Sequence, residues 1–172
     1  MPTHHDLTTF VGREETLTEL TTLVQQGTRL ITLTGPPGIG KTRVASRFLT
    51  LHTHAQWCDL TEARTHDDVV GMVAATVGAP LPATISDAVA QVGRALASSP
   101  ATLMVLDNFE QVAHCAASTL GQWLTSAANV TFLVTSRERL QLPGEHVLTL
   151  APLDVPDPKD AAQDSAAVRL FV

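Results

Sequence analysis

The sequence predicts an α/β fold, a three-layer sandwich with a mostly parallel five-stranded sheet and helices on both faces. Short β-branched or apolar segments alternate with segments whose apolar residues recur at helical spacing, and this alternation favours parallel strands joined by helices. The apolar segment 101–106 is typical of a strand buried on both faces. With 172 residues, the chain has about the size of one domain.

The first half of the chain predicts two helices and two strands around a glycine-rich loop. Leucines at helical spacing predict a helix over 13–26. Alternating β-branched residues predict a strand over 29–34, which the glycines of 35–40 interrupt before a helical pattern resumes over 42–51. A short strand is predicted over 55–60.

The second half continues the alternation. A helix over 67–77 ends where a glycine and two prolines follow it, and a further helix is predicted over 87–97. After the central strand, the pattern predicts one long helix over 109–127. Strands over 130–135 and 146–150 complete the predicted sheet.

The last part of the chain is predicted to lie outside this domain. Residues 1–151 form the predicted domain, and three prolines mark residues 152–172 as a linker and the truncated start of a following helical domain. The apolar helical pattern over 160–172 runs into the final residue. We therefore expect the chain to be the amino-terminal fragment of a longer protein.

Composition excludes several classes of function. Eleven basic and 17 acidic residues give a net charge of −6, so direct nucleic-acid binding by this chain is not expected. No apolar run approaches the 18 to 20 residues, roughly, that a membrane span needs. The start lacks the pattern of a secretion signal, and Cys58 and Cys115 are too few for a disulfide framework. We expect a cytoplasmic protein with no membrane partner.

A phosphate-binding loop (Walker A) is predicted over residues 35–42, which match the pattern G-x-x-x-x-G-K-[ST]. The motif lies between a predicted strand and a predicted helix, as its chemistry requires. Glycine permits close approach of backbone amides to phosphate, and the helix amino terminus adds partial positive charge. Lys41 would reach the β- and γ-phosphates, and the Thr42 hydroxyl would bind Mg²⁺. The alternative is a glycine turn that binds nothing.

A Walker B segment is predicted over 103–108 and carries a carboxylate, Asp107, directly after the apolar run. Asp107 would lie at the carboxyl end of a core strand and contact Mg²⁺, although an aspartate there also suits a helix N-cap. Asn108 follows where vigorous P-loop ATPases often have a glutamate, and an amide cannot accept a proton. Glu110 is a catalytic candidate or a solvent-facing residue. Slow hydrolysis is therefore expected.

A sensor segment over 131–137 ends in Arg137. Its guanidinium would reach the γ-phosphate from the carboxyl edge of the sheet. The small polar residues Thr135 and Ser136, which precede it, suit a position beside phosphate. A surface arginine in a turn is the alternative.

Together these segments resemble the nucleotide-binding domain of the STAND class of signal-transduction ATPases, which includes the NB-ARC proteins and bacterial ATPase regulators of the LuxR and SARP types. FVGREE over 10–15 resembles the hhGRE motif of that class. GPPGIGKT, LMVLDN and LVTSRE resemble its Walker A, Walker B and sensor-1 segments, in the same order. The resemblance covers nearly the whole chain.

The resemblance implies ATP or ADP with Mg²⁺ as cofactors and places Val11 and Arg13 on the adenine side. The nucleotide-binding residues expected are Val11, Arg13, Gly35, Pro37, Gly38, Ile39, Gly40, Lys41, Thr42 and Arg43. The catalytic candidates are Lys41, Asp107, Glu110 and Arg137, and the magnesium ligands are Thr42 and Asp107.

The expected function is a magnesium-dependent ATP/ADP switch of a transcriptional regulator, which slow hydrolysis resets and whose parent self-associates in the ATP state. One alternative is a vigorous ATP-hydrolysing enzyme or kinase. Another is a degenerate interaction scaffold that no longer binds nucleotide.

Overall fold

The computed structural model describes residues 12–81 and 84–152. Its strands are β1 Leu30–Thr34, β2 Ala55–Asp59, β3 Leu103–Asp107, β4 Thr131–Thr135 and β5 Glu145–Thr149. They form one five-stranded sheet in the order β2-β3-β4-β1-β5, and each neighbouring pair runs parallel. The predicted α/β fold is confirmed, with a sheet that is wholly parallel.

Helices cover both faces of the sheet and make the three-layer sandwich. The α-helices are α1 Glu14–Gln25, α2 Lys41–Leu49, α3 His66–Val77, α4 Ile85–Ser98 and α5 Leu120–Ser126. Alternate residues of β3 face opposite layers: Leu103 and Val105 pack in the core beside α1 and α2. Met104 and Leu106 pack in the core beside α3, α4 and α5.

The prediction of one long helix over 109–127 is wrong. A 3₁₀ helix spans Phe109–Cys115, with a kink at Val112, and α5 begins only at Leu120. Between them the Thr119 hydroxyl donates to the Cys115 carbonyl at 2.8 Å. Hydroxyl groups that donate to nearby carbonyls offer the backbone an alternative to helical hydrogen bonds. Here such a bond accompanies the break between the 3₁₀ helix and α5.

The parallel arrangement brings the ends of several strands to one edge of the sheet. Asp59 and Asp107 are register partners at the ends of β2 and β3, and Thr135 ends β4. Gly35 follows β1 directly. Because β4 lies between β1 and β3, the end of β4 lies between the end of β1, where the loop begins, and Asp107.

Some expectations lie outside the described residues. These are Phe10 and Val11 of the FVGREE segment, most of the predicted linker and the helical pattern over 160–172. Within 12–81 and 84–152, no helix is long and apolar enough to cross a membrane.

Candidate functional site

The loop over 35–40 joins the end of β1 to the start of α2. Gly38 has a φ of 78° and Gly40 a φ of 100°, a left-handed conformation that side chains rarely adopt. A β-carbon at either position would meet no atom within 4 Å. Backbone conformation, not crowding, therefore requires glycine at these two positions, and the loop surface above them is open.

Lys41 is the first residue of α2 and is largely buried, with an exposed fraction of 9%. Its ammonium donates to the carbonyl of Gly35 at 2.8 Å and to that of Pro36 at 3.1 Å. These two bonds hold the positive charge over the start of the loop. An ammonium has three protons, so this geometry is compatible with one further acceptor.

Thr42 joins the loop to the end of β3. Its hydroxyl donates to Asp107 Oδ1 at 3.0 Å, and the Thr135 hydroxyl at the end of β4 donates to the same oxygen at 2.5 Å. Asp107 is 2% exposed. Three elements that are distant in sequence therefore meet at one buried carboxylate, and the roles of Thr42 and Asp107 as magnesium ligands stay predictions.

The pKa of Asp107 is raised above its usual value, chiefly because burial disfavours the charged form. Hydrogen bonds from Thr135 and Thr42 lower the pKa in part, and the nearby charges of Asp59 and Glu110 raise it further. The carboxylate is thus costly to ionise in the protein alone. A cation beside it would stabilise the charged form.

Asn108 connects this carboxylate to two residues that the sequence analysis missed. Its Nδ2 lies 3.1 Å from Asp107 Oδ2, 3.2 Å from Asp59 Oδ1 and 2.8 Å from Thr61 Oγ1. Burial raises the pKa of Asp59, but hydrogen bonds from Thr61 and Asn108 outweigh it and lower the pKa overall. The sequence could have indicated Asp59, because this residue lies at the end of β2 just as Asp107 lies at the end of β3.

Glu110 and Arg137 form an ion pair. Arg137 Nε donates to Glu110 Oε1 at 3.1 Å, and the two side chains are 61% and 16% exposed. Glu110 therefore does not face solvent freely. Its other oxygen, Oε2, is buried and has no hydrogen-bond partner within the described part of the chain.

The remaining predicted residues surround the loop. The Arg13 Nη2 donates to the carbonyl of Ile39 at 3.1 Å, so the structure places this guanidinium on the loop backbone. Arg43 lies in the first turn of α2, and Pro37 is exposed in the loop. The adenine-side role of Arg13 stays a prediction.

The donor set suits a magnesium ion, since Mg²⁺ prefers hard oxygen ligands, usually one or two carboxylates together with waters and phosphate oxygens. The Thr42 hydroxyl and the Asp107 carboxylate supply such oxygens 3.0 Å apart. The raised pKa of Asp107 also fits a group whose negative charge a cation would stabilise.

A glycine loop that leads from a parallel strand into a helix and carries a lysine and a threonine is the phosphate-binding element of the P-loop NTPases. The sheet and the site have that arrangement, so the fold is that of a P-loop NTPase. Within this class, the chain belongs to the AAA ATPase domain family, whose model matches residues 9–149.

Curated relatives come from mycobacteria. An uncharacterised protein of Mycobacterium tuberculosis is 31% identical over 175 residues, which cover 99% of this chain and 42% of that protein. A candidate HTH-type transcriptional regulator of the same species is 30% identical over 132 residues, or 75% of this chain and 15% of the relative. The chain thus spans less than half the length of these relatives.

Solved structures share the fold. The Aeropyrum pernix ORC2 protein, in ADPNP–ADP complexes, superposes with a TM-score of 0.56 at 17% identity, over 81% of this chain and 47% of that one. A STAND protein with a tetratricopeptide repeat sensor from Pyrococcus horikoshii gives a TM-score of 0.50 at 16% identity, over 90% and 26%. At these identities the likeness concerns the fold alone.

Proposed function

We propose that this domain is the magnesium-dependent ATP/ADP switch of a STAND-class signal-transduction ATPase that regulates transcription. The observation that carries the proposal is the convergence of Thr42, Asp107 and Thr135 beside the loop that Lys41 spans. The naming of one relative as a candidate transcriptional regulator supports the regulatory setting. Self-association of the whole protein in the ATP state is part of the proposal.

The phosphates would lie over Gly38 and Gly40, where the loop surface is open. Backbone amides there and at the start of α2 would donate to phosphate oxygens, and the helix amino terminus would add partial positive charge. The third proton of Lys41 would bond a β- or γ-phosphate oxygen. These contacts recognise the phosphates of both ATP and ADP.

Thr42 and Asp107 would hold the magnesium ion. When bound, Mg²⁺ neutralises charge on the phosphate oxygens and orients them. Thr135 keeps the Asp107 carboxylate oriented through a buried hydrogen bond. The chain therefore supplies a fixed oxygen site rather than a flexible one.

Hydrolysis is proposed to be slow because the position after Asp107 lacks a base. The Asn108 amide nitrogen faces Asp107, Asp59 and Thr61, and an amide does not take up a proton at neutral pH. The remaining candidate is Glu110, whose buried Oε2 would accept a hydrogen bond from the attacking water. Because Arg137 already holds its Oε1, only one oxygen of Glu110 is left for the water, which favours slow turnover.

Arg137 would provide the contact that distinguishes ATP from ADP. Glu110 holds its Nε, and the outer guanidinium nitrogens retain donors that match phosphate oxygens. We expect Arg137→Ala to weaken ATP affinity by about 5- to 20-fold, and ADP affinity by about twofold at most. Titration calorimetry with each nucleotide and Mg²⁺ measures both. Equal losses for the two nucleotides would remove the sensor role.

The proposed function is tested by titrating the chain with ADP and ATP, each with and without Mg²⁺, beside a phosphate-release assay. Micromolar or tighter binding that Mg²⁺ strengthens, with turnover well below about one per second, is the expected result. Turnover of many per second would instead make the domain a vigorous enzyme. If neither nucleotide binds, the domain is a scaffold.

A further inference from the structure

Arg13 connects the segment before α1 to the phosphate loop. Its Nη2 donates to the Ile39 carbonyl at 3.1 Å, although the two residues are 26 positions apart. The guanidinium is half-buried, and desolvation lowers its pKa from the usual value. A charge withdrawn from water in this way is stabilised by the hydrogen bonds that it makes, so the contact with the loop is a specific feature of the site.

The backbone of Arg13 is fixed by the helix that follows. Its carbonyl accepts a hydrogen bond from Leu17 N at 3.0 Å, the first turn of α1. Leu20 and Leu23 of α1 pack in the same core as Val44 and Phe48 of α2. Arg13 directly precedes α1, and the loop directly precedes α2. The packing of these two helices in one core therefore fixes the position of Arg13 relative to the loop.

The bonded carbonyl belongs to the peptide group that carries the Gly40 amide. Across a trans peptide the C=O and N–H point in opposite directions, and the described residues contain no cis peptide. By holding the Ile39 carbonyl on one side, Arg13 turns the Gly40 N–H to the other. Gly40, with φ of 100°, has no side chain that would fix this orientation by packing.

We propose that Arg13 is a positioning residue for the phosphate loop: it orients the Ile39–Gly40 peptide so that the loop amides receive phosphate, whichever base the ligand carries. The inference rests on the proposed nucleotide binding and deepens it. It differs from a role in reading adenine, because a positioning residue affects ligands that have phosphates and no base.

The test compares wild type, Arg13→Ala and Arg13→Lys with three ligands: ADP, inorganic tripolyphosphate and adenosine. For Arg13→Ala we expect ADP and tripolyphosphate affinities to fall by the same factor, about 5- to 10-fold, and adenosine binding to stay unchanged. Arg13→Lys should recover part of the loss, since an ammonium can still donate to one carbonyl. Weak tripolyphosphate binding is measured by competition against ADP.

A second measurement needs no ligand. In the nucleotide-free protein, Arg13→Ala should shift the Gly38 and Gly40 amide resonances. Arg47→Ala, which removes an exposed arginine from the last turn of α2, is the matched control and should change neither. Thermal unfolding of each variant checks that the fold is intact.

The outcomes separate the inference from the function on which it rests. If Arg13→Ala weakens ADP and adenosine but leaves tripolyphosphate and the glycine amides unchanged, Arg13 reads the base and the inference is overturned. If wild type binds neither ADP nor tripolyphosphate, the proposed function itself fails.

Discussion

Replacing Lys41 with alanine is expected to weaken the binding of ADP and ATP by about 30- to 5,000-fold, which corresponds to the roughly 2–5 kcal/mol lost when one partner of a buried charge pair is removed. The lysine is 9% exposed and already held over the loop by two carbonyls. Little conformational entropy is therefore lost when it meets phosphate. Titration calorimetry with each nucleotide measures the effect.

The fold should survive this change, because alanine is a good helix former at the start of α2. Circular dichroism and the unfolding midpoint of Lys41→Ala check this. The sequence offers a matched control in Lys159, its other lysine, and Lys159→Ala should bind both nucleotides as wild type does. Unchanged affinity in Lys41→Ala would refute the assignment of the phosphate loop.

Much of the fold could be predicted because its signals are local. Glycines of a fixed pattern between strand and helix predict the phosphate loop, and an apolar segment that ends in an aspartate predicts β3 and Asp107. The strands β1, β3 and β4 follow from β-branched or apolar runs. The fully buried β1, β3 and β4 lie in the middle of the sheet, as continuous apolar strands do.

The break after Cys115 could not be predicted from periodicity, because the apolar spacing continues across it. The break is accompanied by hydrogen bonds that the Ser118 and Thr119 hydroxyls make to the Cys115 carbonyl. These side-chain bonds compete with helical hydrogen bonds only where the local backbone conformation brings hydroxyl and carbonyl together. The spacing of hydrophobic residues does not reveal that conformation.

The site was predicted less completely than the fold, because its remaining contacts join separate elements. The pairing of Arg137 with Glu110 spans 27 positions and that of Asn108 with Asp59 spans 49. Register between β2 and β3 decides that Asp59 lies beside Asp107, and register is a property of the assembled sheet. The sequence indicated which residue types belong at the edge of the sheet, but not which of them bond one another.

Asp107→Asn is expected to remove most of the strengthening that Mg²⁺ gives to nucleotide binding, a loss of about 10- to 100-fold in affinity for the magnesium complex. The change removes the negative charge from the buried oxygen site and keeps one oxygen as acceptor for Thr42 and Thr135. Binding measured without Mg²⁺ should change much less. Titrations of ATP with and without Mg²⁺, for wild type and variant, give the ratio directly.

The same variant tests the cost of holding Asp107 ionised. Because burial raises its pKa in the folded protein, Asp107 contributes stability while it is protonated, below its unfolded pKa, and this contribution is lost as pH rises through the folded pKa. Without metal or nucleotide, the stability of wild type relative to Asp107→Asn should therefore fall as pH rises from about 3.5 to about 7. Denaturant unfolding over this range measures the difference, and parallel curves for the two proteins would contradict it. Without a cation, the ionised Asp107 carboxylate lowers the stability of the domain. A bound cation would stabilise this charged form, so occupancy of the site would raise the stability of the domain.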